Sequence, residues 1–253
     1  MINFAALIKR KLMQRTPANG CYGVFNDFEA AEASARRHLP VGYDAADTGS
    51  WYRDMMERVQ HDEYPMLYWF EKTLPTSRTV VEIGGHVGVA FYSFATRVKF
   101  PADLKWTIVD VPTVTRAGED LALQRGETRL QFCNEFSAML APMDLLMASG
   151  SLQYVPGPLL PSRLLAMQQR PTHIIIHKTP VIAQPKGYVT LQNISAAWCP
   201  YRIFGFGELI EPLLDLGYEL VDSWAKERVI NIPRRPDLRV THYSGYYLRT
   251  KVT

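Results

Sequence analysis

Three groups of residues in this chain could do chemistry together. The first is the run TVVEIGGHVGVAFYSF over residues 79–94, with an acid at Glu82 and glycines at 84, 85 and 88. Residues without Cβ let the backbone turn with φ > 0 and approach a ligand closely, so Gly84, Gly85 and Gly88 read as a cradle. The second is Asp110, at the end of LKWTIVDVP, one βαβ step beyond the glycines. A strand-end carboxylate there can accept hydrogen bonds from both hydroxyls of an adenosine ribose; it can also cap the helix that begins at Pro112. The third is His177, which follows Ile174, Ile175 and Ile176 and emerges where such a strand ends. Histidine titrates near neutral pH and can take the proton of a reacting hydroxyl, although a strand-end histidine bonded to backbone fits equally.

The elements that must position these residues follow from the pattern. Val80, Val81 and Ile83 make a short β-branched run suited to a parallel strand buried on both faces, and Val89, Tyr92 and Phe94 continue as a helix. The glycine register excludes a G-x-G-x-x-G dinucleotide fingerprint, since His86 and Val89, or Val87 and Ala90, stand where glycine is needed. No G-K-[ST] follows, which excludes a phosphate P-loop. From Thr79 onward strands and helices alternate, predicting a doubly wound parallel sheet. Asn134 and Glu135, after the third strand of that sheet, are placed to meet an adenine. Ser149, Gly150, Ser151, Gln153 and Tyr154, after the fourth, hang over the crevice where strand order reverses.

The flanking regions read differently. Residues 1–76 look helical, a cap region with an amphipathic start packed on its own domain or on a dimer mate; Asn26 or Asp27 caps a helix through FEAAEASARRHL, and Trp51, Tyr52, Tyr64, Tyr68 and Trp69 serve as core or as a substrate wall. Residues 77–253 form the cofactor-binding domain. Within it the helix pattern lapses over 181–204, and Gln192, Trp198, Tyr201 and Arg202 there offer an acceptor wall. YELVDSWAKERVI and RVTHYSGYYLRTK, joined by NIPRRPDL, predict an antiparallel hairpin at the sheet edge. With 253 residues, 47% hydrophobic, 21% charged and a net charge of +3, the chain has a globular composition without the excess charge of a nucleic-acid binder. Cys21, Cys133 and Cys199 form no C-x-x-C pair and read as reduced thiols of a cytoplasmic protein; no metal-ligand spacing and no run long enough to span a membrane is present.

The acid followed by glycines resembles motif I of class I S-adenosylmethionine (SAM) methyltransferases, with His86 in place of its middle glycine. Further segments, CYGVFNDFEAAEAS, GYD at 42–44, DLLMASGSLQYV and PYRIFGFGELIEPLLDLGYELVDSW among them, are similar to an uncharacterised bacterial family assigned to those enzymes. The resemblance runs from about residue 20 to the end. It implies a Rossmann-like α/β fold, mostly parallel with an antiparallel C-terminal edge hairpin, SAM as cofactor, and a setting in sugar or surface-polysaccharide biosynthesis with no established acceptor, a precursor from that setting being one candidate. The expectation is therefore methyl transfer to a small molecule, with a methyltransferase-fold protein that binds SAM or a nucleotide without transfer as the alternative.

Overall fold

The computed structural model describes residues 15–36, 41–42, 52–134, 142–195 and 197–251. In chain order these form β1 (Cys21–Phe25), α1 (Phe28–Arg36), α2 (Arg53–Met56), a 3-10 turn (His61–Glu63), α3 (Tyr64–Thr73), β2 (Thr79–Ile83), α4 (Val89–Ala95), β3 (Lys105–Val109), α5 (Pro112–Gln124), β4 (Leu130–Cys133), β5 (Leu145–Ser149), α6 (Leu160–Leu165), β6 (His173–Thr179), β7 (Val181–Ile182), β8 (Tyr188–Asn193), β9 (Trp198–Gly205), α7 (Phe206–Leu209), α8 (Glu211–Asp215), β10 (Tyr218–Ile232) and β11 (Arg235–Thr250). Local chemistry sets several starts. Asp27 Oδ1 accepts the Ala30 N–H at 2.7 Å ahead of α1, and Pro65 and Pro112 occupy first-turn positions that need no N–H partner. Among the described residues no helix is long and apolar enough to cross a membrane.

A seven-stranded sheet runs β10-β11-β6-β5-β2-β3-β4. Strands β4, β3, β2, β5 and β6 pair in parallel, while β11 is antiparallel to both its neighbours. The hairpin lies at the edge as expected, but the last strand is inserted between β6 and β10 instead of forming the edge. The chain moves from β2 to β3 on one side and returns to β5 on the other, so a crevice opens at the carboxyl end of β2, where ligands bind in open α/β sheets. The sheet core is apolar on both faces: Phe70, Phe91, Phe94 and Trp106 lie on one, Ile174, Ile176, Leu164 and Leu213 on the other.

The structure corrects the reading of two regions. Residues 181–204, where the helix pattern lapses, are strands instead of an inserted wall; β7, β8 and β9 join β1 in a second sheet ordered β1-β8-β9-β7. The region before residue 77, read as helical, contributes β1 to that sheet and packs α1 on its other face through Phe28, Ala31, Ala35, Val189, Leu191 and Trp198. Residues from both sides of the expected 76/77 division thus share one layer. Strands β10 and β11 extend past the main sheet, turn at Pro233 and Arg234, and lay Ile230, Ile232 and Val240 on the opposite face of the second sheet against Tyr201 and Ile203. The expected amphipathic start, Trp51 and the Tyr43 and Asp44 of the GYD segment lie outside the described residues.

Candidate functional site

The crevice at the end of β2 is a cleft of about 340 Å³, within the usual span of small-ligand sites. Its floor and sides come from Ile83, Gly84, His86, Asp110, Asn134, Ser149, Gly150, Ser151 and Tyr154, with Tyr52 and Val155 closing it. Parallel pairing of β2 with β3 and β5 sets Gly84, Asp110 and Ser149 at neighbouring strand ends. The glycine turn is held by the Gly84 N–H to the Val109 carbonyl, 2.8 Å.

Each turn glycine has a physical reason. Gly84 has φ +68° and a Cβ on it would stand 2.3 Å from Ser151 Cβ; Ser151 in turn bonds the Ile83 carbonyl through its hydroxyl. A Cβ on Gly85 would stand 2.6 Å from a Glu82 carboxyl oxygen. His86 occupies the left-handed region as well, at φ +55°, a conformation in which histidine is several-fold enriched over most side chains. Its backbone N–H donates to Asp110 Oδ2 at 2.9 Å, so the turn and the second acid hold each other.

Asp110 is fixed further by the Val111 N–H on Oδ1, 2.8 Å, and faces the cleft with both oxygens oriented. Asn134 spends its amide hydrogens on the Asp110 carbonyl (3.0 Å) and the Thr115 hydroxyl (2.6 Å), leaving Oδ1 as its remaining polar atom, an acceptor. The Tyr154 hydroxyl donates to Gln192 Oε1, and its ring meets Tyr201 edge-on at 5.1 Å. The cap is anchored from below by an ion cluster. Lys178 bridges Asp62 (3.2 Å) and Glu63 (2.8 Å), and Lys226 bridges Asp62 (2.5 Å), fixing the His61–Glu63 turn to β6 and β10. Burial alone would raise the Asp62 carboxyl, but the Lys226 hydrogen bond and the two lysine charges hold it at about 2.

Several expected site residues lie elsewhere. Glu82 is buried beneath the turn, accepts the Trp106 indole N–H at 3.0 Å, and does not line the cleft. Desolvation, with the charges of Asp110 and Glu63 added, lifts its carboxyl to about 8 against the lowering effect of that hydrogen bond. His177 is 1% exposed and absent from the cleft wall. Its Nδ1 accepts the Trp224 Nε1–H at 2.9 Å, so the neutral ring carries its proton on Nε2, which is buried without an acceptor among the described residues. Burial and the Lys178 charge push its pKa to about 3. So placed, the ring presents no lone pair to the cleft.

Gln153 is also interior, with its amide nitrogen 3.4 Å from the Lys178 carbonyl. Trp198 belongs to the α1-facing core, and Tyr201 lies in the core under the hairpin arm, its hydroxyl 2.9 Å from that of Tyr243. Arg202 lines a crevice beside the cleft instead of the cleft itself. Glu135 lies outside the described residues. Gly84, Asp110, Asn134, Ser149, Gly150 and Tyr154 come together around the cleft, while Gly85 and Gly88 shape its turn from behind. Sequence reasoning did not single out His86 as a wall, although its place in the glycine run was a signal; for Tyr52 the only signal was membership of an aromatic cluster.

No protein-family model matches the chain, and no curated protein matches it. Among solved structures it is similar to the N-terminal domain of EvdMO1 with S-adenosylhomocysteine (SAH) bound, at 14% identity over 98% of this chain and 97% of that one, TM-score 0.50. It is similar to the PH0226 protein of Pyrococcus horikoshii OT3, at 12% identity over 82% and 95%, TM-score 0.50. A Listeria monocytogenes protein assigned to the S-adenosylmethionine-dependent methyltransferases matches at 11% identity over 75% and 100%, TM-score 0.50. At such identities the likeness carries the fold: a Rossmann-like α/β sheet of class I methyltransferase type.

Proposed function

We propose that this protein is a SAM-dependent methyltransferase acting on a small-molecule acceptor. The observation that carries the reading is the cleft at the switch point, where a side-chain-free turn at Gly84 and the oriented carboxylate of Asp110 share one wall. The residues present fit SAM. Asp110 would hold the ribose diol, Asn134 Oδ1 would accept from the adenine amine, and the space a Cβ at Gly84 would fill admits the methionine portion. The SAH bound to the EvdMO1 domain supports the same reading. When bound, SAM supplies a methyl group on a sulfonium, already reactive toward an in-line nucleophile.

The chain's own part is alignment and exclusion of water. Tyr52, stacked on His86, closes one side of the cleft, and Val155 and Tyr154 close the other. Burial holds His86 at about 4, so at neutral pH its ring is uncharged and only weakly basic. With His177 sealed away, the described cleft favours an acceptor whose attacking atom is nucleophilic without help; a sugar or surface-polysaccharide precursor is the acceptor setting proposed from the family resemblance. The sealed His177 also favours a second reading, a protein that binds SAM or SAH without transferring the methyl group. Calorimetry with SAH and NAD, paired with a labelled-methyl transfer screen over small acceptors, separates the readings. SAH binding with transfer supports the first, SAH binding with no transfer the second, and NAD binding alone overturns both.

A further inference from the structure

A second and larger cavity lies apart from the cleft and shares no lining residue with it. It measures about 480 Å³ and opens between the segment Arg15–Cys21 and the β10 arm, where Arg228 and Asn231 line it. The first wall is pinned to the second sheet. The Asn19 N–H donates to the Asn193 carbonyl at 2.6 Å, Asn193 Nδ2 donates to the Thr16 carbonyl at 2.8 Å, and the Gly20 N–H closes a turn onto the Pro17 carbonyl at 2.8 Å. Asn19 takes a left-handed conformation, φ +60°, in which asparagine is enriched over most side chains. A Cβ on Gly20 would stand 2.8 Å from Thr16 Cγ2 and 2.9 Å from the Pro17 carbonyl oxygen, so the turn is packed tightly against itself.

Arg15 and Arg228 are the charged residues of that lining, and among the described residues no carboxylate lies within ion-pair distance of either. Arg228, half-buried on β10, donates from Nη2 to the Asn19 carbonyl at 3.2 Å, with its guanidinium 5.9 Å from the Tyr243 ring centre. Its Nε is buried without an acceptor among the described residues. Burial pushes the Cys21 thiol in the same wall up to about 12, and the Arg228 charge acts against that push, so a positive field reaches the wall. A guanidinium partly out of water and short of acceptors is a cost that a bound anion removes. Two uncompensated arginines match a phosphate monoester, which carries about −1.5 to −2 charges at pH 7, better than a singly charged carboxylate. A bare phosphate ion would leave most of the cavity unfilled, and the remainder is apolar at Pro17, Ala18, Val229 and Pro233. We propose that this cavity is a second binding site, for a small organic phosphate monoester whose phosphate is held by Arg15 and Arg228 and whose organic body packs on the proline-lined remainder. The site does not rest on the methyltransferase reading.

The test titrates the full chain with phenyl phosphate, phenol or inorganic phosphate by isothermal calorimetry, each with and without saturating SAH, and follows the arginine Nε–H resonances by 15N NMR. The Arg228 signal is the one lost in Arg228→Lys. Phenyl phosphate should bind and shift that signal to saturation, phenol should do neither, and inorganic phosphate should bind at least tenfold more weakly than the ester. Arg228→Gln should weaken phenyl phosphate binding at least tenfold, and Arg15→Gln about threefold or more. Should Arg228→Gln fail to fold, Arg228→Lys keeps the charge without the fork and should bind three- to tenfold more weakly, while Arg15, being exposed, can be replaced without disturbing the core. No binding of phenyl phosphate, equal binding of phenol, a bare phosphate bound as tightly as the ester, or full affinity in the Arg15 and Arg228 variants overturns the site. Displacement of phenyl phosphate by SAH with the Arg228 signal unmoved places the ligand in the cleft and overturns it as well. Phenyl phosphate binding without SAH binding leaves the second site standing and removes the methyltransferase reading alone.

Discussion

The ring of Tyr52 lies on the imidazole of His86, centroids 3.4 Å apart and planes 20° from parallel. One residue comes from the segment before α2 and the other from the glycine turn, so the stack ties the cap region to the cradle and forms one wall of the cleft. Aromatic pairs of this kind are worth about 0.5–1.5 kcal/mol beyond burial. Replacing Tyr52 by alanine should therefore weaken SAH binding by roughly three- to tenfold. Tyr52→Phe should recover most of the loss. Isothermal calorimetry reads both, and wild-type affinity in Tyr52→Ala would remove the stack from the binding site.

Gly84→Ala should cost more. The left-handed conformation alone is worth roughly 1–2 kcal/mol against a residue with a Cβ, and the collision with Ser151 adds an overpacking cost of about 1–3 kcal/mol. Urea unfolding should show the loss, and the double variant Gly84→Ala, Ser151→Gly should recover only the collision part. Equal stability of wild type and Gly84→Ala would mean that the turn is not as tight as described.

His177 should prove structural. His177→Ala leaves the partly buried Trp224 indole N–H without its partner, at a cost of about 1–3 kcal/mol, and should lower the melting temperature without a selective fall in kcat. The folded pKa values of His177 and His86, about 3 and about 4, lie below the ordinary histidine value, so the unfolded chain binds protons first as pH falls. Stability should decline as pH drops from roughly 6.5 toward 4. His177→Gln should remove about one proton from that slope; an unchanged slope with a selectively lost kcat would return His177 to the mechanism.

Glu82 predicts the opposite slope. Its carboxyl is pushed up to about 8, above the unfolded value, so the folded state binds the extra proton and stability falls as pH rises from about 4.5 to about 8. Glu82→Gln keeps an acceptor for the Trp106 indole without an ionisable group, and should gain on the order of 1–3 kcal/mol at pH 7 relative to wild type while flattening the alkaline decline. Unfolding midpoints between pH 5 and pH 9 measure this; parallel curves for the two proteins would contradict the buried, protonated acid.

Much of the site was legible because chain topology alone decides it. Once Val80–Ile83 is a parallel strand at the switch point, Gly84, Asp110, Asn134 and the 149–154 loop must gather at one end of the sheet. Side-chain direction was not legible. Glu82 and His177 point into packed layers instead of the crevice, and the alternation that would have shown it is hidden where a strand is apolar on both faces. Residues 181–204 showed only a lapse of the helix pattern because the partner that completes their sheet, β1, is distant in sequence; Trp198 and Tyr201 then become core residues.

The central claim is that Asp110 and the glycine turn form a SAM site, and isothermal calorimetry with SAH on the wild-type chain and on Asp110→Ala tests it most directly. Loss of one charge-assisted partner costs roughly 1.5–3 kcal/mol, so the account predicts measurable SAH binding in the wild type and an affinity about one to two decades weaker in the variant, with the fold retained by circular dichroism. No heat of binding in the wild type, or equal affinity in the two proteins, would contradict it.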